Sequence, residues 1–271
     1  ARSSYTIEIF KLDKANIPRE RVAVGAKENI KIAANAIDSS LVSLKVEKPQ
    51  LWDLENTNLY LAKVSVYDRK TLTDVYDVPF GFRTLKFTHN NGFLLNGKRV
   101  QLKGVCMHHD QGALGSVAND RSTERQVEIL KMMGCNSIRV THNPASDELI
   151  DACNKHGILV IDEAFDGWVA PKNGNSNDYA KWFNKEIESD NETMGAADNM
   201  TWAQFDLTAM IERGQNDPAI IMWSLGNEMW EGTGGYSAAY KTAQDNLVKW
   251  AQAADTTRPV TTCLLYTSPS P

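Results

Sequence analysis

The sequence predicts an α/β protein in two parts: short antiparallel strands packed as a sandwich over residues 1–86, then a parallel sheet with helical crossovers over 87–262. Three observations point there. Apolar and polar residues alternate with a period of two through residues 5–85. From residue 99 the pattern becomes strand, loop and helix, repeated. Ionisable side chains then collect where the strands of this second part end. A length of 271 residues suits about two domains at roughly 100–200 residues each.

Each element has a local reason. In Val42–Glu47 and again in Tyr60–Tyr67 the apolar residues share one face, which predicts half-buried strands, with Val24-Gly25 and Asp68-Arg69-Lys70 as turns. Asn90-Asn91-Gly92 and Asn96-Gly97 are hairpin-type turns around Phe93–Leu95. Val100–Val105 is the first strand of the second part, and Ser122–Met133 an amphipathic helix closed by Gly134. Cys135–Val140 is the next strand. Pro144 and Ser146 open a helix that stops at His156-Gly157, a basic last turn followed by glycine. Ile158–Ile161 is continuously apolar, as in a strand buried on both faces. A polar insertion over 172–200 precedes a helix near Trp202–Arg213. Ala219–Leu225 is the fourth strand, Tyr236–Ala254 a helix, and Pro259–Thr262 the start of a fifth strand.

Composition narrows the function. Charged side chains balance to −5 with no basic patch, which excludes nucleic acid as a partner. No apolar run approaches the roughly 18 residues of a membrane span. Cys106, Cys135, Cys153 and Cys263 lack zinc-like spacing. Residues 263–271 resemble an adapter-derived scar, and the chain reads as a fragment of something longer.

The second part carries no GxGxxG after any strand, so a dinucleotide fold is disfavoured. Instead the strands end in His108-His109-Asp110, in Thr141-His142-Asn143, in Asp162-Glu163 and in Asn227-Glu228. Polar groups at the carboxyl ends of several strands are where a TIM barrel keeps its chemistry. The predicted architecture is therefore a truncated (β/α)8 TIM barrel preceded by a β-sandwich.

The segments Leu102–Asp110, Arg139–Pro144, Val160–Ala164 and Asn216–Glu228 together resemble glycoside hydrolase family 2, and within it the bacterial β-galactosidases. Leu51-Trp52-Asp53, Asn58-Leu59-Tyr60 and Phe80–Thr84 are similar to the immunoglobulin-like domain that precedes that family's barrel. The resemblance implies a retaining exo-glycosidase acting on terminal β-galactosides, with two carboxylates about 5–5.5 Å apart. Glu228 matches the general acid/base, and Asn227 the residue that hydrogen-bonds the sugar 2-hydroxyl. Arg139 matches the arginine that orients the nucleophile; His108 and His142 match sugar-binding histidines. Asp162 stays open between a substrate contact and a buried anchor, with Glu163 beside it. Trp230 is a candidate for stacking on a sugar face.

This sequence departs from the family in two places. His109 replaces the usual acid after His108, leaving only Asp110. Gly167 and Val169 stand where the best-known β-galactosidases carry magnesium ligands, so no cofactor is expected, although Asp166 is a conceivable substitute. The resemblance places the nucleophile on a seventh strand, beyond this chain, so the fragment alone is expected to be inactive; Glu163 and Glu231 are the nearby acids. β-Glucuronidase and β-mannosidase are the alternatives within the family, and a non-catalytic carbohydrate-binding barrel the alternative outside it. The expected partner is a β-galactoside oligo- or polysaccharide, and the full-length parent an oligomer of identical chains. A periplasmic or secreted location is slightly favoured over a cytoplasmic one.

Overall fold

The computed structural model describes residues 3–33, 36–188, 199–229 and 237–263. The chain forms two compact units. The first runs through Gln101 and includes residues 154–157 and 216–218; the second comprises Leu102–Cys153, Ile158–Gln215 and the chain from Ala219 onward. Among the described residues no helix is long and apolar enough to cross a membrane.

In the first unit β1 (Ser3–Leu12), β2 (Pro18–Ile30), β3 (Tyr60–Asp68) and β4 (Thr71–Phe80) form an antiparallel sheet in the order β2-β1-β3-β4. The turn between β3 and β4 falls at Arg69, with φ +56, as Asp68-Arg69-Lys70 predicts. Val24-Gly25 is not a turn: β2 runs straight through it, and Gly25 pairs with Ile7. An ideal Cβ on Gly25 would lie 2.5 Å from a methyl of Leu44, so the missing side chain lets another segment cross the strand. That segment is Val42–Val46. Its alternation governs burial as predicted, with Val42, Leu44 and Val46 half-buried, yet it joins no strand ladder. Period-two patterning reports which side chains are covered, not whether the backbone has a partner.

Trp52 is fully buried. Its indole N–H donates to the Asn154 carbonyl at 2.8 Å, and its own carbonyl accepts from the Asn96 side chain at 2.9 Å. Gly157 has φ +67, and a Cβ there would stand 2.4 Å from the Leu54 carbonyl oxygen, so only glycine fits. A small sheet of β5 (Leu85–Thr88), β6 (Gly92–Leu95) and β7 (Lys98–Arg99) turns at Gly92, Asn96 and Gly97, all with positive φ. By its contacts it groups with the first unit.

In the second unit β8 (Gly104–Met107), α1 (Asp120–Met132), β9 (Ser137–Val140), α2 (Asp147–His156), β10 (Leu159–Glu163), α3 (Ala180–Phe183), α4 (Trp202–Gly214), β11 (Ile220–Asn227), α5 (Ala238–Ala254) and β12 (Val260–Cys263) follow in order. The five strands are parallel and lie in the order β12-β11-β10-β9-β8. Each strand lies beside its neighbours in the chain. A doubly wound sheet would reverse direction at a switch point, so this order is that of barrel staves. The first strand begins at Gly104 rather than Val100: the Val100 amide donates to the Phe93 carbonyl at 3.0 Å, and the Lys103 amide to the Asn136 side chain at 2.7 Å. Asn119 caps α1 by accepting from the Ser122 amide, and Ser237 caps α5 by accepting from the Tyr240 amide. Ile138, Leu159, Val160, Ile220, Ile221, Trp223 and Leu225 carry the buried side chains of the sheet.

One buried polar network ties α5 to β11. Asp255 accepts from the Trp223 indole at 2.9 Å, from Arg258 at 2.7 Å and from the Thr257 amide and hydroxyl, each at 2.7 Å. Arg258 also donates to the Ile220 carbonyl at 2.8 Å. Burial pushes the Asp255 carboxyl up, but Thr257, Trp223 and Arg258 outweigh it and hold the group at about 2, against an ordinary 3.8. A carboxyl depressed in the folded state contributes stability above its unfolded pKa and loses it as pH falls through the folded one. Asp255 should therefore supply about 2 kcal/mol at neutral pH, lost between about pH 4 and pH 2. Urea unfolding followed by tryptophan fluorescence checks this: Asp255→Asn should be less stable at pH 6 and should flatten that acid limb. An unchanged limb would refute it.

Candidate active site

The parallel strands deliver their carboxyl ends to one end of the second unit. His108 follows β8, Arg139 lies in β9 and His142 just beyond it, Glu163 ends β10, and Asn227 ends β11 with Glu228 next. The ladder pairs Glu163 with Ser224 on β11.

Glu163 is the hub, with a fully buried side chain. Its Oε2 accepts from Arg139 Nε at 2.8 Å, Arg139 Nη2 at 2.5 Å and the Ser224 hydroxyl at 2.5 Å. Its Oε1 meets His142 Nδ1 at 2.6 Å. A carboxylate with no access to water needs such donors, and a guanidinium fork plus a hydroxyl and an imidazole supply them. Holding Nδ1 as the donor leaves Nε2 of His142 for any other partner. His108 is exposed, its ring edge-on to that of His142 at 5.4 Å between centroids.

Arg139 carries the network onward, donating from Nη2 to the Asn227 side-chain oxygen at 3.1 Å. Asn227 Nδ2 donates to Asp166 Oδ1 at 3.0 Å, and its amide donates to the Asp166 carbonyl at 3.1 Å. Its own carbonyl accepts from Lys172 Nζ at 2.6 Å, and the same ammonium meets Asp166 Oδ1 at 2.7 Å. Burial alone would raise the Asp166 carboxyl. Hydrogen bonds from Lys172 and Asn227, with the charges of Lys172 and His142, instead hold it below its ordinary value. Trp168 packs on Phe183 at 4.5 Å and donates its indole N–H to the Leu225 carbonyl at 2.6 Å. Glu228 is half-buried and takes φ +45. A non-glycine residue in the left-handed region is costly, of order 1 kcal/mol or more, and such residues concentrate at functional sites.

The structure thus brings Arg139, His142 and Asn227 into one hydrogen-bonded cluster, with His108 against its edge and Glu228 next to Asn227 in the chain. Asp162 takes the anchoring alternative. It is fully buried and accepts the Ala145 amide at 2.9 Å, with Arg213 at 3.7 Å, so a substrate contact is corrected to a support for the loop after β9. Asp110 accepts the Gly112 amide at 2.7 Å within its own loop. Trp230 and Glu231 lie outside the described residues. Sequence reasoning missed Ser224 and Lys172. Ser224 was legible as the polar residue inside an apolar strand; Lys172 sits in a polar insertion where one more lysine carries no signal.

Among the described residues, those at this site do not fit a magnesium ion. Gly167 and Val169 offer no side-chain ligand, and Asp166 is already paired with a lysine ammonium. The cluster makes a stability prediction. Glu163→Gln leaves the Arg139 charge without its buried partner and should cost about 3–5 kcal/mol. Ser224→Ala, which removes one donor, should cost about 1.5–3 kcal/mol. Denaturant titration of both variants checks the order, and equal losses would deny Glu163 its central place.

Comparison with known proteins agrees with the geometry. Residues 87–265 match the model described as glycosyl hydrolases family 2, TIM barrel domain, and residues 3–83 match that of glycosyl hydrolases family 2. The chain is similar to beta-galactosidase BoGH2A of Bacteroides ovatus, with 42% identity over 188 residues, covering 69% of this chain and 20% of that protein. It is also similar to the beta-glucuronidase of Streptococcus agalactiae serotype V, with 32% identity over 216 residues, covering 77% of this chain and 33% of that protein. Among solved structures, a glycosyl hydrolase family 2 member from Bacteroides cellulosilyticus superposes with a TM-score of 0.80 and 34% identity, covering 97% of this chain and 31% of that one. The chain therefore spans a fifth to a third of the length of these relatives. A sandwich ahead of a parallel barrel, with this cluster at the strand ends and these matches along both parts, makes the chain a member of glycosyl hydrolase family 2.

Proposed function

We propose that the complete protein carrying this chain is a retaining β-glycosidase of β-galactosidase type, in which Glu228 is the general acid/base. The observation that carries this is the fixing of Asn227. Its side-chain oxygen, side-chain nitrogen, amide and carbonyl are held by Arg139, Asp166 and Lys172, so the residue before Glu228 is rigid on every side. Such rigidity suits a carboxyl group that must meet a glycosidic oxygen within hydrogen-bond reach. Glu228 protonates the leaving oxygen as a second carboxylate attacks the anomeric carbon, then takes a proton from the water that releases the sugar. In this reading His108 and His142, at the same strand ends, bind sugar hydroxyls. Glu163 is not the attacking group, because its oxygens are buried and occupied by Arg139, His142 and Ser224.

The likeness to BoGH2A favours galactosides. A β-glucuronidase is the second reading, supported by the streptococcal relative; it requires a cationic group facing the uronate carboxylate. Parallel assays with nitrophenyl β-galactoside and β-glucuronide separate the two.

The mechanism has its own test in the complete reading frame. Glu228→Gln should lower turnover of substrates with poor leaving groups by about 10²–10⁴-fold. Substrates with good leaving groups should still form the glycosyl-enzyme, which then accumulates. Azide, which needs no general base, should restore turnover and yield a glycosyl azide of retained configuration. Wild-type rates in Glu228→Gln would remove it from the mechanism.

A further inference from the structure

We propose that Lys172 is a positioning residue that does the work of a metal ion here: its ammonium grips Asp166 and the peptide between Asn227 and Glu228, and makes the site independent of divalent cations. The inference rests on the glycosidase reading above.

The side chain of Lys172 is 10% exposed, and its nitrogen lies 2.7 Å from Asp166 Oδ1 and 2.6 Å from the Asn227 carbonyl oxygen. That carbonyl belongs to the peptide whose nitrogen is Glu228's. Fixing its plane fixes the point from which Glu228 projects, at a residue whose φ of +45 is itself unusual. Arg139 and Asp166 hold the Asn227 side chain, but among the described contacts only Lys172 grips this carbonyl. The lysine is presented by a closed turn. Its carbonyl accepts the Asn175 amide at 3.0 Å, its amide reaches Asp178 Oδ2 at 3.4 Å, and Gly174 takes φ +70. A magnesium ion prefers six oxygens at about 2.0–2.1 Å. Seated on Asp166 it would face the Lys172 charge across a few ångströms, with no ligand from Gly167 or Val169. An ammonium needs only acceptors for its three N–H bonds, and this site supplies two of them.

The test uses the complete protein. Wild type dialysed against EDTA should keep its kcat/KM within about twofold of that in millimolar magnesium; a larger loss reversed by magnesium overturns the proposal. Lys172→Met should lower kcat on phenyl glycosides by about 10²-fold with KM little changed, and on dinitrophenyl glycosides by less than about tenfold, because only the former need the acid. Lys172→Ala should recover activity with ethylamine. Equal losses on both leaving groups, or a folded Lys172→Ala that no amine rescues, would make the lysine merely structural and overturn the proposal. Should these variants fail to fold, Lys172→Arg, which keeps the charge, and the EDTA result decide. Should the wild type cleave no glycoside, the glycosidase reading fails by itself. Calorimetric titration with magnesium then judges the cation: no binding upholds it, and binding lost in Asp166→Asn overturns it.

Discussion

A carboxylate sealed from water must be answered by charge and hydrogen bonds, and Glu163 imposes that demand on the whole end of the sheet. Arg139 from β9 and Ser224 from β11 satisfy it from the strands on either side, and His142 from the loop beyond β9. Three strands are thereby held in register by something other than their ladders. From Glu163 the charges alternate outward, through Arg139 and the amide of Asn227 to Asp166 and Lys172. A network this closed is expensive to leave half-made, which makes its geometry nearly all-or-none.

The division of labour between strands and loop follows from rigidity. Arg139, Glu163, Ser224 and Asn227 stand on strands, where neighbouring backbone fixes each Cα. A site built on such elements is held more tightly than one on loops. Glu228 lies just past the strand, and so depends on what grips the last strand residue. The packing of Trp168 against Phe183, with its indole on the Leu225 carbonyl, also braces that strand end.

Much of this was legible in the sequence. Asn96-Gly97 and Asp68-Arg69-Lys70 turned as their chemistry demands, since each places a residue at positive φ. The strand ends that carry Arg139, His142 and Asn227 converge because a parallel sheet leaves them no other end to occupy. What failed did so for identifiable reasons. Gly25 looked like a turn because a glycine yielding space to Leu44 is the same letter as one turning a corner. Val42–Glu47 had a strand's pattern without a strand's partner. Asp162 and Glu163, adjacent in sequence, point to opposite faces of β10, as strand residues must, so one anchors the Ala145 loop and the other the cluster. Lys172 was invisible because what distinguishes it is burial, and burial of a lysine in a loop has no sequence period.

The link between Asp166 and Lys172 closes over six residues, while the connection it opens does not reach β11 until Ile220. Loop closure costs only about 0.6 kcal/mol for each doubling of length. Once the short clasp is made, the excursion between α3 and α4 can lengthen or shorten at little energetic penalty, so long as α4 still returns the chain to the sheet. Evolution can thus vary the length of this connection by insertion and deletion while the charges that the clasp holds stay put.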